Sequence, residues 1–152
     1  MNIPIDFLVY QPLLKIKKEE KSTKVFCPIR KKYLVFQPEE LVRQLVVYYL
    51  IQNRGYSKNS IHVERGVKVN NLSRRLDIII YNKAMMPFLM VECKRPKVKI
   101  TQAVFDQIAQ YNLTLNVQYL VVTNGMETFC CQMDYDNQTY HFIEEIPQAT
   151  EM

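Results

Sequence analysis

Nowhere does the chain run apolar for the ~20 residues that a membrane helix needs. Its apolar beginning, Met1–Leu14, is broken by Asp6 and followed, rather than preceded, by lysines. That is the reverse of a secretory leader, so a cytoplasmic chain without membrane association is expected. The four cysteines, Cys27, Cys93, Cys130 and Cys131, form no CxxC pair, and the two histidines, His62 and His141, are far apart. Reduced structural cysteines are expected rather than a zinc site. Only three glycines are present, so each is expected to have a local job. There is no internal repeat and no low-complexity linker. From residue 113 onward there is no Lys or Arg at all.

What is present is ordinary for a globular protein. The 152 residues are 48% hydrophobic and 23% charged, with 17 Phe and Tyr to pack. A length of ~100–200 residues per domain points to one domain, residues 1–152. This composition excludes disorder and collagen-like sequence. The net charge of +5 is unevenly spread. Residues 1–112 hold all 20 Lys and Arg against nine acids, while residues 113–152 hold six acids. A basic face for phosphates is one explanation, and a basic protein with an acidic tail is the other.

Residues 7–36 alternate apolar runs with lysine clusters and read as short strands joined by a charged turn, an N-terminal β extension. Its eight basic residues (Lys15, Lys17, Lys18, Lys21, Lys24, Arg30, Lys31 and Lys32) suit a phosphate groove. Edge-strand lysines that discourage aggregation explain them equally. A core over residues 37–125 follows. Gln37-Pro38-Glu39-Glu40 opens a helix, with Pro at the first position and acids at the positive end of the dipole; Gly55 ends it. Ser60–Val69 reads as a strand, Asn70-Asn71 as a turn, and Leu76–Tyr81 and Phe88–Lys94 as further strands. The continuous Ile78-Ile79-Ile80 run predicts burial on both faces. Thr101 caps a second helix to about Leu113, with Ile100 and Phe105 as a staple. Gln118–Thr123 is a buried strand ending at the turn pair Asn124-Gly125. Thr128–Met133 and Thr139–Ile143 complete a C-terminal meander and tail over 126–152. The fold class is α/β, a mixed sheet with helices packed on it.

Three polar residues interrupt these apolar strands. Asp77 opens the Ile78–Ile80 run, and Glu92 and Lys94 close the Phe88–Val91 run. Residues two apart on a strand share a face, so Glu92 and Lys94 point one way and Val91 and Cys93 the other. Fifteen residues from Asp77 to Glu92 leave room for a strand, a loop and a return strand, with neighbouring strands ~4.8 Å apart. Two carboxylates so close repel, and burial makes this worse. A divalent cation resolves the conflict. Mg²⁺ takes hard oxygen ligands, commonly one or two carboxylates with water and phosphate, and the backbone carbonyl of Cys93 can add an oxygen. Bound metal makes water a better nucleophile, and Lys94 can orient that water, neutralise developing charge or act as a base. A solvated Glu–Lys ladder explains the same trio without chemistry.

Other residues share this ambiguity. Gln107 and Tyr111 stand four apart on one helix face and can reach a phosphate or a base edge; a solvated Gln beside a core Tyr is the plainer account. Glu39, Glu40 or Glu64 can add a carboxylate, although dipole-favoured acids explain the first two. Arg74, Arg75, Arg95, Lys97 and Lys99 flank the centre and suit a phosphate backbone or simple solvation.

Together these residues resemble the PD-(D/E)xK nuclease superfamily. More closely, the chain resembles the N-terminal nuclease domain of type I restriction enzyme R subunits and small stand-alone relatives of that domain. The resemblance is carried by CPIRKKYLVFQPEELVRQ (27–44), ERGVKVNNLSRRLDIIIYN (64–82), PFLMVECKRPKVKITQAVFDQIAQYN (87–112) and YLVVTNG (119–125). It covers most of the chain from about residue 25, and its ECK and QxxxY elements are specific as a set. It implies a single nuclease-like domain with a restriction-endonuclease-like mixed sheet flanked by helices. It also implies hydrolysis of DNA phosphodiesters with Mg²⁺, Mn²⁺ being able to substitute. Asp77, Glu92 and Lys94 would be catalytic. Asp77, Glu92 and the Cys93 carbonyl would bind metal, with Glu40 where the superfamily often places a helical acid. Gln107 and Tyr111, with Arg74, Arg75, Arg95 and Lys97, would bind substrate. Leu76 stands where the superfamily pattern has Pro. There is no P-loop, motor or target-recognition module, so no nucleotide cofactor is expected. DNA is the expected partner, with a homodimer or a larger restriction or defence complex around it. The rival expectation is a catalytically silent nucleic-acid-binding or partner-docking module with the same fold.

Overall fold

The isoleucine run Ile78-Ile79-Ile80 sends its side chains alternately to two different cores. Ile78 and Ile80 pack with Val42, Leu45, Val46 and Leu50, whereas Ile79 packs with Phe105, Ile108 and Ala109. A strand alternates faces with period two, so this split means that the sheet is covered on both sides. The computed structural model describes residues 2–69 and 72–152, and for 65–69 and 72–75 it describes only the backbone. The Asn70-Asn71 turn expected above lies outside the described residues.

The main sheet has six strands in the order β4-β5-β6-β7-β8-β9. These are β4 (Ile61–Val69), β5 (Leu72–Tyr81), β6 (Pro87–Cys93), β7 (Tyr119–Thr123), β8 (Thr128–Asp134) and β9 (Thr139–Ile143). Among the described residues only the β6–β7 pair of this sheet is parallel, and the chain crosses between them through helix α2, Gln102–Asn112. Helix α1, Pro38–Gln52, covers the other face. Every residue of β6 from Phe88 to Val91 is buried, the mark of a strand with both faces covered.

The N-terminal extension forms a separate three-stranded antiparallel sheet: β1 (Ile16–Lys18), β2 (Thr23–Cys27) and β3 (Lys32–Val35). Val25 and Cys27 are fully buried, and Cys27 joins the α1 core. One part of this region departs from the sequence expectation. Phe7–Leu13 is a 3₁₀ helix rather than a strand. Asp6 accepts the Leu8 N–H at 3.1 Å at its start, a local side-chain bond that competes with sheet pairing.

The helix ends follow their sequence signals. Thr101 Oγ1 accepts the Val104 N–H at 3.2 Å, capping α2, and Ile100 and Phe105 are buried in one cluster as a staple. α1 ends at Gln52 with Asn53 as its C-cap. Gly55, at φ +79°, then turns the chain so that the Tyr56 N–H reaches the Leu50 carbonyl at 3.1 Å. Gly125, at φ +89°, sits in the β7–β8 turn, where a Cβ would lie 3.3 Å from Val42. All four cysteines are buried and unpaired. Among the described residues no helix is long and apolar enough to cross a membrane.

Candidate active site

The β4–β5 ladder is interrupted at one step. Val63 pairs with Ile78 and Arg65 with Leu76, which leaves Glu64 facing Asp77. Glu64 has φ +51°, a left-handed conformation rare for a non-glycine residue in a strand. On β5 the alternation also breaks here, because Leu76 and Ile78, two apart, belong to opposite cores. Strain of this kind concentrates at functional sites.

Asp77 is where the neighbouring strands separate. The β5–β6 ladder runs from Ile80–Leu89 to Ile78–Val91, and one further step in that register sets Asp77 opposite Glu92. At that point a side chain replaces the backbone partner: Asp77 Oδ2 accepts the Cys93 N–H at 2.8 Å. β6 then pairs with β7 as far as Cys93–Thr123, and the Lys94 N–H continues to the Thr123 carbonyl at 2.8 Å. Asp77 is thereby fixed beside the Glu92–Lys94 segment. Lys94 Nζ lies 3.5 Å from Glu92 Oε1, with the Lys94 side chain one-third exposed. Cys93 points the other way into the α1 core, and burial, with Asp77 close by, raises its thiol pKa well above the ordinary value.

Sequence reasoning missed the residue at the centre of this cluster. Arg43, on α1 and only 5% exposed, reaches Asp77 Oδ1 at 2.9 Å, Glu40 Oε1 at 2.5 Å and Glu39 Oε1 at 3.0 Å. Glu64 Oε1 is 3.8 Å away, and Arg30 Nη1 holds the other Glu64 oxygen at 2.5 Å. Burial works against the charge on Arg43, but the hydrogen bond to Asp77 and the charges of Glu40 and Asp77 outweigh it and raise its pKa. The available signal was a lone Arg inside the apolar stretch of α1, one turn past Glu39-Glu40. Gln44 is fully buried and donates to Glu40 Oε2 at 2.9 Å.

The three candidate acids therefore differ in place. Glu40 is buried and held by Arg43 and Gln44, Glu64 is shared by Arg30 and Arg43, and Glu39 is half exposed beside Arg43. Burial, then the charge of Asp77, raises the Glu39 pKa, while Arg43 and Lys94 oppose this. Among the described residues, no group of three or more His, Cys, Asp or Glu gathers as a ready-made metal cage. A Mg²⁺ ion needs only one or two carboxylates, its other ligands being water and phosphate. The donor set fits that requirement. Asp77 and Glu92 are hard oxygen donors at facing strand positions. Four carboxylates (Glu39, Glu40, Glu64 and Asp77) share two guanidinium groups, leaving net negative charge.

The remaining candidates lie further out. Arg95, Lys97 and Lys99 are exposed along the segment between β6 and α2. Gln107 is exposed on α2, and Tyr111, expected in the core on the plainer account, is 38% exposed. The side chains of Arg74 and Arg75 lie outside the described residues.

Solved structures that resemble this chain include the following two. One is a fragment of a protein assigned as an HsdR subunit of a type I restriction enzyme from Vibrio vulnificus. It is 19% identical over 70% of this chain with a TM-score of 0.48, and the chain spans 22% of that fragment. The other is a protein of the DUF820 family from Anabaena variabilis assigned as a nuclease. It is 12% identical, covers 98% of this chain and 93% of its own, and has a TM-score of 0.50. The second likeness is one of fold, and it agrees with a restriction-endonuclease-like mixed sheet flanked by helices. The curated proteins offer no match. Residues 38–147, from the first turn of α1 to beyond β9, match the family described as type I restriction enzyme R protein N terminus, and the chain belongs to that family.

Proposed function

We propose that this protein is a divalent-metal-dependent endonuclease that hydrolyses DNA phosphodiester bonds at the Asp77–Glu92–Lys94 centre. One observation carries the reading: the Asp77 carboxylate takes the Cys93 N–H at 2.8 Å, which seats it beside the Glu92–Lys94 pair. Asp77 and Glu92 would hold Mg²⁺ or Mn²⁺, with the Cys93 carbonyl as a further oxygen and Glu40 as the helical acid. The ion would supply a Lewis acid and a more acidic water. Lys94, one-third exposed and 3.5 Å from Glu92, orients the attacking water or neutralises charge on the phosphoryl oxygens. Arg95, Lys97, Arg74 and Arg75 hold the phosphate backbone, and Gln107 and Tyr111 contact the substrate. Cutting both strands takes two centres or two visits, so a homodimer or a larger restriction complex in the cytoplasm suits this activity.

A second reading, a catalytically silent nucleic-acid-binding or docking module, draws on one feature: Arg43 already satisfies Asp77 and Glu40. Cleavage of supercoiled, linear and single-stranded DNA with Mg²⁺ or Mn²⁺, beside Asp77→Ala, separates the two. Metal-dependent cutting that disappears in the variant supports the nuclease. A folded protein that binds DNA without cutting under any of these conditions favours the silent module.

A further inference from the structure

We propose a second nucleic-acid site: the groove between the N-terminal sheet and the far end of α1 binds single-stranded nucleic acid. The groove has a volume of about 490 Å³. Lys15, Lys31 and Lys58 line it together with the rings of Phe26 and Tyr48, and no carboxylate is among its lining residues. Strand-binding proteins pair these same two elements, aromatic faces on which bases stack and cations that follow the phosphates. A duplex keeps its bases stacked and offers none to Phe26 or Tyr48, so the aromatic half of the lining selects an unpaired strand.

Three details distinguish this groove from a solvated lysine surface. Lys31 is held at φ +56° in the turn after β2, with its N–H on the Cys27 carbonyl at 2.8 Å. A non-glycine residue keeps that conformation only where the surrounding structure holds it. Lys15 Nζ lies 5.4 Å from the Phe26 ring centroid, so a stacked base would displace the ammonium from the ring toward its own phosphate. Charge complementarity is also one-sided. The three lysines of this groove have no ion-pair partner among the described residues, whereas Lys17 and Lys24 are paired with Glu19.

The groove is also joined to the candidate active site. Arg30, next to Lys31, holds Glu64 of the acid cluster at 2.5 Å. Tyr48 lies eight residues beyond Glu40 on α1, roughly 12 Å along the helix axis and about 80° round it. The groove stands on its own lining, and the expected cleavage is not needed to detect it.

The test is fluorescence anisotropy with a labelled single-stranded oligothymidine, in chelator, using the full chain. A Lys31→Ala/Lys58→Ala variant, changed only at exposed positions, should bind about tenfold more weakly or worse. Its log affinity should fall with log salt by a slope about 1.4 shallower, the loss of two single-strand phosphate contacts. Tyr48→Leu should weaken the single strand about tenfold and leave affinity for the matched duplex unchanged. Unchanged single-strand affinity in the lysine variant overturns the proposal. An equal loss on duplex and single strand in Tyr48→Leu overturns the assignment to unpaired nucleic acid. Because the assay contains no free metal, a failure of the nuclease reading would leave these outcomes distinct.

Discussion

Arg43 and Asp77, 34 residues apart in the chain, meet at 2.9 Å through Nη2 and Oδ1, while the other Asp77 oxygen takes the Cys93 N–H at 2.8 Å. One carboxylate thus ties α1, β5 and β6 together at the point where the strands part. Its two bonds set both the position of the acid and the electrostatics around it.

The guanidinium is nearly inaccessible, so removing it leaves the buried Glu40 and the partly buried Asp77 without their cation. Truncating one partner of a buried ion pair typically costs 3–5 kcal/mol. Arg43→Met is expected to destabilise the fold by about that much, read as the urea midpoint. Added Mg²⁺ should recover part of the loss in this variant by replacing the missing positive charge near Asp77. A midpoint that does not move would mean that the arginine contributes nothing net to the fold.

Lys94→Ala should lower metal-dependent DNA cleavage by at least about 100-fold and leave DNA affinity nearly intact, because one partly exposed cation is a small share of a basic surface. Parallel cleavage and binding titrations check this. An unchanged rate removes Lys94 from the mechanism. A chelator should abolish cutting reversibly, with activity returning when Mn²⁺ is added.

The Glu39 pKa is raised from its ordinary value by burial and by Asp77. An acid with a raised folded pKa is penalised when ionised, so the penalty is present above its folded pKa and vanishes below its unfolded one. Glu39→Gln should therefore raise the melting temperature slightly near neutral pH and lose that advantage as the pH falls toward 4. Thermal melts at the two pH values measure the difference. An advantage that grows in acid would reverse the sign of the interaction.

Burial pushes the Cys131 thiol up to about 12, and those of Cys93 and Cys130 upward as well. Thiolates are the reactive form, so the native protein should resist alkylation at these three positions, and urea should expose them. Mass spectrometry after a brief iodoacetamide pulse reads the result. Rapid labelling of Cys93 in the native state would show that the Asp77 strand junction opens.

Local sequence settled most of the elements. Apolar continuity in Ile78-Ile79-Ile80 and Phe88–Val91 required strands buried on both faces, and Thr101 and Pro38 placed two helix starts, because period, capping and ring constraint act over a few residues. Pairing Asp77 with Glu-x-Lys was also legible, since polar groups rarely end apolar strands without a partner. The 3₁₀ segment at Phe7–Leu13 was not legible as such, because its apolar run suits strand or helix until Asp6 bonds to Leu8.

Only the tertiary structure decided what surrounds the acids. That Arg43 faces Asp77 depends on how α1 crosses the strands, that Glu64 is turned to φ +51° depends on the break in the β4–β5 ladder, and that Arg30 reaches Glu64 depends on where the N-terminal sheet packs. The amino-acid order supplied the charges. Long-range packing chose their partners, because ion-pair energies depend on separations of a few ångströms that no local pattern encodes.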